Sequence, residues 1–336
     1  MTAAPTPLTW VTEEELRCPH ASLLSVYDER SQTLESTPDQ FVLVKSRQMI
    51  DWYQHRFKES PPETVLEIGI FKGGSVVLFA ELWRPQRLVA VDIRPEPLEA
   101  LEEYIRRSGS VASVRPVYNI DQADRRAMQN VLDEHFDGKP LSLVIDDGCH
   151  YLEESRETFN STFPYLAPGG TYVIEDWAWA HWPGMWQEDG GPWREKPSAT
   201  YLALELAMLS ASRPDLVQSV EITRDLIVVT KGPCTDLSVD FDLSSSYLTA
   251  GRVFVEEGFP CPGQGKSRAL NEMRRQIEEL KAHLSERESG LNEEGAALAS
   301  ACATAARLNE VVRATEDSLS WRVTAPLRRI RRLLRR

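Results

Sequence analysis

Two stretches carry side chains whose types and spacing suit chemistry. The first, IDDGCH at residues 145–150, ends an apolar run with two adjacent carboxylates, Asp146 and Asp147, and sets His150 three residues after the second. The second, IED at residues 174–176, ends another apolar run with Glu175 and Asp176. Carboxylates packed this closely repel one another unless a cation lies among them, and an all-oxygen set suits a hard divalent ion such as Mg²⁺. Imidazole ordinarily titrates near neutrality, so a histidine beside such an ion can take a proton from a reacting group. A structural reading stands beside this one. Asp147 precedes a helical pattern and Asp176 a turn, where carboxylates cap backbone N–H groups.

A third cluster lies upstream, in VLEIGIFKGGS at residues 65–75. An apolar run delivers Glu67 and Gly69, and Gly73, Gly74 and Ser75 open a helix. Glycines let a ligand approach the backbone, and a helix start offers free N–H groups. The spacing is E-x-G-x-x-x-G, unlike the G-x-G-x-x-G of dinucleotide sites. An acid two residues before the first glycine repels a pyrophosphate and welcomes the amino group of an amino-acid-like ligand. Asp92 ends the next apolar run, where a carboxylate can take the two hydroxyls of a ribose. Asp121 and Gln122, in NIDQAD, are placed either to meet an adenine edge or to cap a helix.

These residues need elements to hold them. Five short apolar runs, at 64–69, 87–93, 113–118, 141–146 and 171–176, alternate with helical patterns. That alternation predicts a parallel sheet covered by helices on both faces, with all the loaded strand ends on one edge. Residues 217–232 predict two further strands joined by a tight turn near Arg224–Asp225, completing seven strands. Residues 1–38 are polar with little period, and 40–59 show apolar residues at helical spacing (Val42, Val44, Met49, Ile50, Tyr53) up to Pro61 and Pro62. A helical cap over 1–60 is therefore expected. Residues 177–198 hold five tryptophans and His181, which predicts a lid or substrate loop.

Together, Glu67, the glycines, Asp92, Asp121 and Gln122 resemble the cofactor end of class I S-adenosylmethionine-dependent methyltransferases. The resemblance covers roughly residues 60–232. It implies a Rossmann-like, doubly wound α/β fold whose seven-stranded sheet has its last strand antiparallel. The pairing of IDDGCH with PYLAPGGTYVIEDW is similar to the metal-dependent sugar O-methyltransferases, the group with the macrocin, mycinamicin and rhamnosyl enzymes. That likeness implies Asp147, Glu175 and Asp176 as Mg²⁺ ligands and His150 as general base. Asp146 is either an alternative ligand or a residue facing the cofactor. The implied acceptor is a sugar hydroxyl of a surface polysaccharide, a glycolipid or a glycosylated natural product. A related group named for cephalosporin hydroxylase keeps a non-sugar acceptor open, and a cofactor-binding scaffold is a further reading.

The rest of the chain sets the context. Its 336 residues are 42% hydrophobic, enough for a sizeable core, with a formal net charge of −13. An acidic body argues against nucleic acid as a partner. No apolar run reaches the roughly 20 residues needed to span a bilayer. The N-terminus lacks the pattern of a secretory signal, and five scattered cysteines without a C-x-x-C pair point to a cytoplasmic setting. The expected divisions are 1–60, a methyltransferase domain over 61–262, a coiled-coil helix over 263–318 and a basic tail over 319–336. In the third, Leu270, Met273, Ile277, Leu280 and Leu284 step by three and four, which predicts oligomerisation through a coiled coil. The tail holds seven arginines and no acid among apolar residues, a pattern suited to the anionic inner face of a membrane.

Overall fold

The computed structural model describes residues 8–183, 196–248 and 300–314. The chain divides into two units, Met1–Pro260 and Cys261–Arg336. In the first, the strands and helices alternate as the apolar runs require. After β1 (Thr9–Trp10), β2 (Glu15–Arg17), β3 (Ser22–Ser25), β4 (Gln40–Leu43) and α1 (Arg47–Arg56), the order is β5 (Thr64–Ile68), α2 (Gly74–Trp83), β6 (Arg87–Asp92), α3 (Glu99–Ser108), β7 (Val114–Tyr118), α4 (Arg125–Phe136), β8 (Leu141–Asp146), α5 (Leu152–Thr162), β9 (Leu166–Glu175), α6 (Thr200–Ser212), β10 (Val217–Ile222) and β11 (Leu226–Lys231).

The seven later strands form one sheet in the order β10-β11-β9-β8-β5-β6-β7. The pairs among β5, β6, β7, β8 and β9 are parallel, and β11 runs antiparallel to both β9 and β10. This is the predicted Rossmann-like sheet with its last strand reversed. Every residue of β5 is buried, as are all but one in β8, because helices cover both faces. The two faces give two apolar clusters. One gathers Val65, Leu143 and Val173 with α2 and α3; the other gathers Leu66, Val144 and Ile174 with α4, α5 and α6. Residues 167–170, ahead of the apolar run at 171–176, lie inside β9, where the β8 pairing jumps from Leu141↔Leu166 to Leu143↔Thr171. The intervening residues bulge out of the ladder.

The N-terminal segment differs from expectation. It is a four-stranded sheet in the order β1-β2-β3-β4, not a helical cap, and β3 and β4 are parallel. The helix predicted from residue 40 begins only at Arg47. Phe41, Val42 and Leu43 are buried in succession, a strand pattern, and the Ser46 hydroxyl caps α1 by accepting from the Met49 N–H. Leu16, Leu23, Phe41 and Leu43 share the apolar cluster of α2, so the small sheet packs on that helix. Gly74 makes the approach possible: a Cβ there would stand 2.3 Å from the Val42 carbonyl oxygen. The chain leaving β4 is thereby brought to the carboxyl edge of the large sheet.

In the second unit, residues 300–314 are helical. The remainder of the expected coiled coil and the Arg-rich tail lie outside the described residues. Among the described residues no helix is long and apolar enough to cross a membrane.

Candidate active site

At the carboxyl edge, Asp147 leaves β8 and Asp176 leaves β9, two neighbouring parallel strands. Asp147, His150 and Asp176 offer ligand atoms that all lie within 4.8 Å of one another, the imidazole Nε2 standing 3.9 Å from Asp147 Oδ1. Two of the three residues, His150 and Asp176, hold positive φ angles of 60° and 50°, which cost energy for residues with a Cβ and persist only where contacts enforce them. Those contacts are visible. The Trp179 indole N–H donates to the His150 carbonyl at 2.9 Å, and the Asp176 N–H donates to the Asp225 carbonyl at 2.9 Å. Tyr27, just beyond β3, donates its hydroxyl to Asp176 Oδ1 at 2.7 Å.

Glu175 stands in a different environment. It is 1% exposed, and both its oxygens are engaged. The Lys45 ammonium donates to Oε2 at 2.5 Å and to Asp147 Oδ2 at 2.8 Å, while the Tyr53 hydroxyl donates to Oε1 at 2.5 Å. Glu175 is therefore not in the group that the geometry brings together, and His150 takes its place beside the two aspartates. Burial raises the pKa of Glu175, the Asp147 charge adds to this, and Lys45 and Tyr53 oppose it. Burial likewise raises Asp176, against the charge of His150 and the Tyr27 hydrogen bond. For Lys45, burial alone would favour the neutral amine, but Asp147, Glu175 and Glu67 more than offset it and keep the ammonium form.

Lys45, Tyr53 and Tyr27 were not foreseen as site residues. The only trace of Lys45 is a single cation in the apolar run FVLVKS, directly before the Ser46 helix cap. Tyr53 is fixed by packing. Its ring lies 5.0 Å from Phe79, which stacks on Trp83 at 4.8 Å, so the core of α1 and α2 aims the hydroxyl at Glu175.

Beside the cluster opens a cavity of about 690 Å³, in the usual range for a small-molecule site. Gly69, Asp92, Asp121 and Gln122 line it, with Asp147 shared between cavity and cluster. The cradle is built on glycine. A Cβ on Gly69, whose φ is +98°, would stand 2.1 Å from the Asp147 carbonyl oxygen, and one on Gly148 would stand 2.1 Å from Gln122 Oε1. Asp92 accepts from the N–H groups of Ile70, Phe71 and Arg94, shaping the turn after β5. Asp121 caps the next turn through the Ala123 N–H. Gln122 joins the site's halves, accepting from the Cys149 N–H at 2.9 Å and donating to Thr158 at 2.9 Å.

Four expected cofactor residues do not line the cavity: Glu67, Gly73, Ser75 and Asp146. Gly73 faces Leu98, where a Cβ would come within 2.9 Å, and Ser75 is buried in α2. Asp146 is 1% exposed, its side chain turned toward Gln122, and burial lifts its pKa to about 7. Glu67 is fully buried on β5, beside the Ser75 hydroxyl of α2. Burial raises it to about 8 against the Lys45 charge. His181 bonds Thr200 at 2.7 Å. Trp186 and Trp193 of the tryptophan segment lie outside the described residues.

Residues 66–177 match the family described as a methyltransferase domain. They form a methyltransferase domain. A demethylmacrocin O-methyltransferase from Streptomyces fradiae is 33% identical over 142 residues, covering 40% of this chain and 32% of that protein. An 8-demethyl-8-alpha-L-rhamnosyl tetracenomycin-C 2'-O-methyltransferase from Streptomyces olivaceus is 30% identical over 129 residues, covering 36% and 30%. The chain thus spans about a third of the length of these curated relatives. Among solved structures, a MycE methyltransferase in complex with Mg, SAH and mycinamycin VI is 24% identical, covers 55% of this chain and 49% of that one, and gives a TM-score of 0.42. Residues 66–177 contain the last three residues of β5 and all of β6 through β9, and with them Gly69, Gly148 and both aspartates.

Proposed function

We propose that this protein transfers the methyl group of S-adenosylmethionine to a sugar hydroxyl, aided by a divalent ion such as Mg²⁺. The observation that carries the reading is the junction at Asp147: one side of the loop after β8 lines the cavity, and the other joins His150 and Asp176. The residues fit both groups. The cavity has the size and glycine cradle for a nucleoside-bearing ligand, and two converging carboxylates supply the hard oxygen donors that a small divalent cation takes, with the imidazole beside them to receive a proton.

In this reading Asp147 and Asp176 hold the ion, and His150 is the base that takes the acceptor proton. The ion, when bound, would lower the pKa of the acceptor hydroxyl and orient it. Trp179 fixes the backbone of the base, and Tyr27 fixes Asp176. Asp92, Asp121 and Gln122 orient the adenosine end. The methyl donor is already activated, so holding donor and acceptor in line supplies much of the rate. The rhamnosyl group named in one relative favours a glycosylated acceptor. The Arg-rich residues 319–336 extend the range of acceptors to glycans or glycolipids assembled at an anionic membrane face, and 263–318 provide a coiled-coil pattern for a homo-oligomer.

The test is transfer of labelled methyl from S-adenosylmethionine to deoxysugar-bearing acceptors, with and without EDTA. Transfer abolished by EDTA and restored by Mg²⁺ or Mn²⁺ is expected. Turnover indifferent to EDTA and to His150→Ala would refute the mechanism, and absence of S-adenosylhomocysteine binding by calorimetry would refute the cofactor.

A further inference from the structure

Lys45 places a fixed positive charge inside the carboxylate cluster before any ion arrives. It is 1% exposed, and it lies just past β4, the last strand of the N-terminal sheet, outside residues 66–177 of the methyltransferase domain. Its backbone is pinned as well, since the Ser25 hydroxyl donates to its carbonyl at 2.8 Å. Its ammonium bridges Asp147 Oδ2 and Glu175 Oε2, and Tyr53 takes the other Glu175 oxygen. Asp147 keeps its second oxygen, Oδ1, on the His150 side. Asp176 is held by a neutral hydroxyl, that of Tyr27.

We propose that Lys45 is a positioning residue that acts as an internal counter-ion: it withholds Glu175 from the divalent ion, presents Asp147 through Oδ1, and keeps the ion loosely held. This rests on the metal-assisted reading above and deepens it. With Lys45 in place the cluster stands folded without metal. Without Lys45, Asp147 and Glu175 lose their shared cation, and a divalent ion becomes their only source of neutralisation. A unit charge about 5 Å from a divalent ion, even screened as in water, weakens binding about tenfold, and more in a buried setting.

The experiment titrates Mn²⁺ into the full chain as wild type, Lys45→Met and Lys45→Met/Glu175→Gln. Free Mn²⁺ is read by electron paramagnetic resonance, and S-adenosylhomocysteine binding by calorimetry. Lys45→Met is expected to bind Mn²⁺ at least tenfold more tightly than wild type and to gain more thermal stability on adding it. The double variant, which loses one charge of each sign, is expected within about threefold of wild type. If wild type binds no Mn²⁺ while Lys45→Met does, the inference is also supported. Unchanged or weaker binding by Lys45→Met overturns it, because a purely structural lysine would lower stability and leave the affinity alone. Should Lys45→Met fail to fold, the double variant decides: a tenfold or greater loss of affinity makes Glu175 a ligand and overturns the inference. Absence of Mn²⁺ binding in every form also overturns it. Retained S-adenosylhomocysteine binding in that case leaves the methyl-transfer reading standing, and its loss from the wild type refutes that reading separately.

Discussion

Replacing Glu67 by glutamine should make the protein more stable, and only at higher pH. Glu67 is fully buried, and its pKa is lifted to about 8 from an ordinary 4.5. A carboxyl raised in the folded state binds its proton more tightly there than in the unfolded chain. Its contribution is fully present below pH 4.5 and is lost as pH rises toward 8. The gap of about 3.5 pH units, at roughly 1.36 kcal/mol per unit, amounts to roughly 5 kcal/mol once pH exceeds the folded value. Glutamine keeps the shape and does not ionise, so its effect on packing is the same at every pH. The difference in stability, Glu67→Gln minus wild type, should therefore grow by about 4 kcal/mol between pH 5 and pH 8.5. For a domain of this size that is a widening of about 10 °C in Tm. Paired thermal melts across this range check it. A difference that stays flat, or that shrinks with pH, would show that Glu67 is ionised in the folded protein and that Lys45 serves it as well as Asp147 and Glu175.

Three other substitutions probe the carboxyl edge. His150→Ala should lower kcat by about 10² to 10⁴, the usual worth of a general base, while Mn²⁺ affinity stays within about threefold; loss of the ion instead would make the imidazole a ligand. Trp179→Phe removes the indole donor to the His150 carbonyl and frees a strained backbone, so kcat should fall about tenfold with KM for S-adenosylmethionine unchanged, a loss of roughly 1.4 kcal/mol. Unaltered turnover would show that His150 is held by other contacts. Gly148→Ala drives a methyl into Gln122, which must release the Cys149 N–H, so the protein should lose about 2 kcal/mol of stability and bind S-adenosylhomocysteine more weakly in calorimetry.

The large sheet was legible because its strands are buried on both faces and so read as continuous apolar runs. TVLEI, RLVAVD and LSLVID each occupy the predicted strand to within a residue or two. The small sheet was not legible, for physical reasons. β1, β2 and β3 are two to four residues long, too short to show a period, and β4 runs into α1 across only three residues. Val42 and Val44 on one side of that junction, and Met49, Ile50 and Tyr53 on the other, add up to a false helical spacing. The bulge in β9 was hidden for a similar reason. Ala167 to Gly170 carry turn residues, and a bulge uses the same backbone freedom as a turn.

The candidate site divides along the same line. Asp147, Asp176 and His150 could be placed from sequence because strand ends on one edge of a parallel sheet must meet. The same argument brought in Glu175 and could not separate it from Asp176, since both leave β9 together. What separates them is side-chain direction. Glu175 still belongs to the strand and points into the interior, where Tyr53 and Lys45 wait; Asp176, at φ 50°, has left the ladder and turns outward to His150. The two carboxylates therefore meet different neighbours, Glu175 the Lys45 and Tyr53 side chains and Asp176 the Tyr27 hydroxyl. The interior member needed a cation of its own, and the domain that carries the motif supplies none. β4 brings it from a segment whose sequence gives no periodic signal, through a contact between Gly74 and Val42 that only the folded chain reveals. The partial neutralisation of this carboxylate edge is therefore a property of two sheets packed together, and truncation to residues 66–177 would remove both Lys45 and Tyr53, the side chains that bond Glu175.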